Sequence, residues 1–158
     1  MTEDWRDSHE ILVMDGRIKV PYAWSAGEVG TTYLESLRDA ERFLGTRCPV
    51  CGIVYHLPRM HCPDCFEACP EWVELESTGT LVTWTIARRP HPALSPLAPP
   101  FGFGVIRLDG ADTGFLHLLY GFGVGSLRSG MRVEAVFARE RTGSILDVSH
   151  FRPSREVV

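Results

Sequence analysis

Apolar and polar residues change their rhythm once along this chain, and the change divides it. Between residues 25 and 45 the positions Val29, Tyr33, Leu37, Ala40 and Leu44 recur every three or four residues. That period predicts an amphipathic helix with one face to bury. Ser25 and Glu28 have capping-box spacing at its start, and Gly45 stands just past the last periodic position, where a left-handed cap ends a helix. Gly27 and Gly30 weaken the first turn, which allows a later start. From Gly79 onward the period is two. Residues 80–88, 103–108, 113–120, 131–137 and 144–151 alternate and are rich in β-branched side chains, with turn residues at Asp109-Gly110 and Thr142-Gly143. Five strands, with a short helical turn at 126–129 between the third and fourth, predict an OB-fold barrel.

Outside these two rhythms the chain is irregular. Residues 11–14 and 17–20 read either as short strands around Asp15-Gly16 or as an extended arm, and Pro21 closes that element. Residues 46–69 are too few to bury a core of their own. The division expected is therefore an arm or hairpin at 1–24, a helix at 25–45, a small ribbon at 46–70 and the barrel at 71–158, mainly β overall. The proline-rich stretch 90–100 joins the first two barrel strands. Its stiffness suits either the border of a binding face or a shield over a strand edge. Gly121-Phe-Gly-Val-Gly125 looks like a dinucleotide fingerprint, but without a βαβ setting it reads as a bulged turn.

Composition narrows the class. The 158 residues are 44% hydrophobic and 23% charged, the balance of a soluble globular protein. Apolar runs are broken well before the roughly eighteen residues a membrane span needs. A net charge of −4 gives no global attraction for nucleic acid or anionic lipid. The polar start lacks an export core, so the cytoplasm is the expected compartment.

The strongest chemistry lies in the short irregular segment. Cys48-Pro-Val-Cys51-Gly52 and Cys62-Pro-Asp-Cys65 form two knuckles, each spaced to bring both sulfurs to one tetrahedral metal. Residues 52–61 suit a hairpin that carries one knuckle back to the other. A closed set of four thiolates fits structural zinc, with no open position for substrate. Iron in a rubredoxin-like site uses the same ligands, so zinc is favoured without the residue types settling it. Metal binding would supply the free energy that so small a ribbon lacks. Cys69 reads as a small, half-buried apolar residue, and His56 and His61 as groups beside or outside the ligand set.

Elsewhere the signs of catalysis are weak. The sequence holds no Gly-x-Ser-x-Gly elbow, phosphate loop or His-Glu-x-x-His helix. Asp147, His150 and His117 can be assembled into an acid–base set, but read more simply as surface polar residues on barrel strands. The alternative is a single-stranded nucleic-acid-binding ribbon–OB protein, in which Trp84, Phe101, Phe103 and Tyr120 stack on bases. The acidic charge makes nucleic acid the less favoured partner.

The order of the pieces resembles a known family. Pro21-Tyr22, the helix, Gly45-Thr-Arg-Cys48-Pro-Val-Cys51-Gly52, Leu57-Pro-Arg59, Cys62-Pro-Asp-Cys65, Trp72, Gly79-Thr-Leu-Val-Thr-Trp84 and Gly130-Met131-x-Val133 follow one another as in the rubredoxin-like zinc-ribbon plus OB-fold proteins. These were first grouped as domain of unknown function number thirty-five, and they accompany thiolases and other acyl-CoA enzymes. The resemblance spans about residues 17 to 153. It implies an accessory subunit beside a thiolase-fold catalytic subunit in a hetero-oligomer, stabilising the complex and helping to receive the CoA moiety of an acyl-CoA. Small subunits of catabolic thiolases, such as that of benzoylsuccinyl-CoA thiolase, are the nearest members expected. With its paired cysteines committed to metal, the chain would leave thiolase chemistry to the partner. Arg59, Arg88 and Arg89 are then the candidates to meet the CoA phosphates, and Arg47 to balance the thiolates.

Overall fold

A computed structural model describes residues 22–89 and 97–154. The expected strands at 11–20 and most of the proline-rich loop lie outside the described residues.

Helix α1, Gly27–Ala40, buries Tyr33 and Leu37, the middle of the apolar face that the period predicts. Both of its ends differ from expectation. The cap position is Ala26, with no side chain capping it, and the Ser25 hydroxyl instead accepts from the Gly27 N–H at 3.1 Å. At the other end Glu41 takes the left-handed conformation (φ 53°) and its N–H closes on the Ser36 carbonyl. The helix therefore stops about one turn early, because the next residues have other work. Phe43 is only 1% exposed in the core, and Gly45 lies in a strand where a Cβ would sit 2.8 Å from the Tyr55 carbonyl oxygen.

That strand is β1, Phe43–Arg47, the centre of a small antiparallel sheet. With β2 (Val54–Tyr55) and β3 (Glu71–Leu75) it gives the order β2-β1-β3. β3 pairs with β1 along its whole length, from Phe43 opposite Leu75 to Arg47 opposite Glu71. Residues the sequence reading grouped with the barrel thus complete the ribbon sheet.

The barrel follows within two residues. Strands β4 (Thr78–Ala87), β5 (Phe101–Leu108), β6 (Phe115–Leu119), β7 (Arg132–Phe137) and β8 (Val148–Pro153) close in the order β4-β5-β6-β8-β7. β6 and β8 run parallel and the other pairs antiparallel. This is the mainly β, five-stranded closed barrel expected. The segment 126–129 is not a helix: Ser126 N–H to Gly123 O and Met131 N–H to Arg128 O make successive turns. The last strand starts late, after a 3-10 turn at Ile145–Asp147. Asp147 is the cause, since its carboxylate accepts the backbone N–H groups of Thr142, Gly143 and Ser144 at 2.9, 2.8 and 3.1 Å.

One apolar cluster runs through all three parts. Tyr33 and Leu37 of α1, Phe43, Val54 and Leu75 of the ribbon sheet, and Leu81, Ile106, Val133 and Phe151 of the barrel belong to it. The ribbon end beyond Thr46 has a second, smaller cluster of Cys48, Tyr55, Cys62 and Cys69.

Candidate metal centre and its surroundings

The two knuckles stand at the far end of the ribbon sheet. Cys48 follows β1 directly, and the chain turns there because Gly52 (φ 73°) returns its N–H to the Cys48 carbonyl at 2.9 Å. The Sγ atoms of Cys48, Cys51, Cys62 and Cys65 all lie within 4.8 Å of one another. Cys48 to Cys65 and Cys51 to Cys65 are 3.5 Å apart, and Cys62 to Cys51 is 3.8 Å. A tetrahedron of thiolates on zinc has edges of about 3.8 Å, so the sulfurs fit that ion without rearrangement.

The surroundings donate hydrogen bonds to two of the sulfurs. The Cys51 N–H points at Cys48 Sγ at 3.3 Å, and the buried Tyr55 hydroxyl at Cys62 Sγ at 3.2 Å. The Tyr55 hydrogen bond pulls the Cys62 thiol down to about 6. Cys51, hydrogen-bonded by Cys65 and Cys62, is pushed up instead, as expected of sulfurs crowded around a point meant for a cation. Cys69 is buried at the edge of this cluster, where burial raises its thiol, and its hydrogen bond goes to the Glu67 carbonyl. Its place suits the small apolar residue expected. Among the described residues this cysteine set is the only cluster of three or more metal-binding side chains.

Other candidates fare differently. Arg47 pairs with Glu71 across β1 and β3 at 3.0 Å, and its guanidinium also donates to the Gly52 carbonyl of the first knuckle at 3.4 Å. Its strand position sets the pairing with Glu71, because these two residues are register partners. Arg59 lies on the ribbon with its guanidinium 5.6 Å over the Tyr55 ring, while its backbone N–H and carbonyl both bond the Thr46 hydroxyl. Arg88 and Arg89 are exposed just past β4. The structure thus places Arg59 on the ribbon and the arginine pair on the barrel. None of the three has an ion-pair partner among the described residues.

Of the histidines read from sequence as surface or neighbouring groups, His61 is exposed and His150 half-buried, but His117 and His56 are buried. His117 is 5% exposed, held by Leu118 N–H on Nδ1 and by the Ile145 carbonyl near Nε2, and Asp147 is 2% exposed. His56 is 2% exposed, with Nε2 bonded to the Tyr33 hydroxyl at 2.8 Å and its ring 4.4 Å from Phe115. Burial lowers its pKa to about 4. His56 joins helix, ribbon and barrel, whereas His117 lies within the barrel and also borders a surface hollow. No local signal marks them, because their burial depends on how the parts pack.

The barrel also carries an apolar surface, where Trp84 and Phe103, named from sequence as stacking candidates, meet Val105 and Leu116, which sequence reasoning missed. Trp84, Phe103, Val105 and Leu116 line a shallow trough across β4, β5 and β6. Phe103 and Leu116 also border a second hollow, with Ile145 and Leu146, of about 150 Å³. Leu116 is 65% exposed and Leu146 53%. Outward positions on β4 and β6 are the only signal that could have pointed to this trough. Of the aromatic residues proposed to stack on bases, Phe101 is buried at 1% and unavailable.

The comparisons with known proteins follow this geometry. Residues 36–70 match the family described as ChsH2, rubredoxin-like zinc ribbon domain. Residues 72–138 match the one described as ChsH2, C-terminal OB-fold domain. A solved structure named Ltp2-ChsH2(DUF35) aldolase is 24% identical, with a TM-score of 0.59, over 77% of this chain and 91% of that one. A protein of unknown function from the DUF35 family of Sulfolobus solfataricus is 20% identical with the same TM-score of 0.59, over 80% of this chain and 84% of that one. At these identities the two likenesses bear on fold. The adjoining family matches, falling on a ribbon and a barrel in that order, make this chain a member of the ChsH2-type zinc-ribbon and OB-fold family.

Proposed function

We propose that this chain is a non-catalytic accessory subunit of a thiolase-type acyl-CoA complex, stabilising the catalytic subunit and helping to bind the CoA part of the substrate. Cys48, Cys51, Cys62 and Cys65 would hold a structural zinc whose closed set leaves no position for chemistry. The observation that carries the reading is the apolar trough of Trp84, Phe103, Val105 and Leu116 on the barrel surface. Apolar side chains left together at a surface mark a place where another molecule sits. The name of the Ltp2-ChsH2 structure, which couples a ChsH2 chain to a second protein in an aldolase, supports a partner that is an enzyme.

Arg88 and Arg89 follow β4 four and five residues after Trp84, at the end of the trough strand. In this reading they would meet the phosphates of a CoA whose acyl end runs toward the catalytic subunit, with Arg59 as a further cation on the ribbon. The complex is expected to be a cytoplasmic hetero-oligomer.

The test is co-purification of the tagged chain from its native lysate, with identification of the retained protein and light scattering of the complex. A stoichiometric thiolase-fold partner, whose acyl-CoA turnover or lifetime falls when this chain is omitted, is the expected result. Failure to retain any acyl-CoA enzyme, with single-stranded nucleic acid bound instead and released by salt, would replace this reading with the OB-fold alternative.

A further inference from the structure

The two knuckles repeat each other bond for bond. In the first, Cys48 N–H bonds the Ile53 carbonyl at 3.0 Å and Gly52 N–H bonds the Cys48 carbonyl at 2.9 Å. In the second, Cys62 N–H bonds the Glu67 carbonyl at 2.8 Å and Phe66 N–H bonds the Cys62 carbonyl at 3.0 Å. The residue after the second cysteine is left-handed in both, with φ 73° at Gly52 and 61° at Phe66. Glycine adopts that conformation freely, whereas an L side chain is disfavoured there and a bulky ring is an outlier. The fold gains nothing in return, since the Phe66 ring is 78% exposed and packs in neither core cluster.

A residue that strains the backbone and leaves a large apolar ring in water has its use outside the chain. Building on the accessory-subunit reading, we propose that Phe66 is an anchor that inserts into an apolar pocket of the catalytic partner subunit. Rigid, exposed aromatic side chains are the usual centres of binding energy in interfaces. The flanking side chains say what the pocket's rim is like. Asp64 and Glu67 flank Phe66 along the chain and are exposed, so the partner presents lysine or arginine around an apolar floor. A second copy of this chain is a poorer occupant, because a two-fold pairing of this knuckle sets acidic rim against acidic rim in a protein of net charge −4.

The experiment uses the full chain and the catalytic subunit identified by co-purification, with binding measured by calorimetry alongside metal content and thermal melting. Phe66→Gly is expected to weaken binding at least tenfold while the isolated chain keeps its metal and melts no lower. Asp64→Lys with Glu67→Lys is expected to weaken binding and reverse its dependence on salt. Wild-type binding unchanged by Phe66→Gly overturns the anchor and leaves the accessory-subunit reading standing. Loss of metal in Phe66→Gly assigns the ring to the knuckle's own fold and also overturns it. A wild-type chain that retains no catalytic subunit removes the reading on which both depend. Self-association abolished by Phe66→Gly gives the pocket to a second copy and overturns the choice of partner.

Discussion

The phenol of Tyr55 reaches Cys62 Sγ at 3.2 Å from a position only 4% exposed, so no bulk water competes for the sulfur. Hydrogen bonds of this kind hold a metal ligand in direction and offset its charge, and their loss commonly costs roughly 10–100-fold in metal affinity. Tyr55→Phe is therefore expected to bind zinc about tenfold or more weakly in chelator competition while retaining its fold; unchanged affinity would sink the assignment. At this scale the metal centre was legible, because ligand spacing within a knuckle is a local property of the chain. Tyr55 itself was not, since its hydroxyl finds Cys62 only after β2 folds onto β1. His56, His117 and Asp147 escaped for the same reason, and the rule that places polar residues outside misassigned them.

Among the elements, α1 and β1 show how one residue type serves two ends. Gly45 after an apolar period fits a helix cap, and it fits equally a strand position where two backbones nearly touch. The structure takes the second, and Glu41 ends the helix without glycine's help. A Cβ at Gly45 would lie 2.8 Å from the Tyr55 carbonyl oxygen and 3.3 Å from side-chain atoms of Leu75 and Val54. Gly45→Ala should consequently destabilise the chain by roughly 1–3 kcal/mol in urea unfolding, through forced separation of β1 and β2. A helix-cap role would instead give a smaller loss that leaves the ribbon's amide protection intact. The barrel strands were readable because alternation marks them one by one. The late start of β8 was not, since Asp147 gathers three backbone amides into a turn that no period announces.

Across the whole molecule, His56 ties the three parts together. Its ring meets Tyr33 of α1, Phe43 of β1 and Phe115 of β6, and the titratable groups facing it are Tyr33 and His117. Burial lowers its folded pKa from 6.5 to about 4, so the unfolded chain binds its proton first. The stability this gives is complete above the unfolded value and falls as pH drops from about 6.5 toward 4, by roughly 3 kcal/mol in all. His117, also lowered by burial, acts in the same direction. His56→Gln, which keeps a partner for the Tyr33 hydroxyl, should flatten this slope in urea unfolding followed against pH. Comparing it with wild type removes the proton-driven loss of metal that both would share. Equal slopes would show that His56 does not set the dependence.

Only Glu76 and Ser77 separate β3 from β4, and the ribbon is stitched to the barrel again on its other side. Asp112 N–H bonds the Val54 carbonyl, the Asp112 carboxylate accepts from Val54 N–H, and the Thr113 hydroxyl both accepts from His56 N–H and donates to its carbonyl. Among the described residues, ribbon and barrel are thus joined on both sides. A partner touching both knuckle tip and barrel trough therefore meets two contacts held at a fixed span, and the second forms at the high effective concentration set by the first. Two individually weak patches can thus make one durable grip, provided the partner's own surface keeps the same distance.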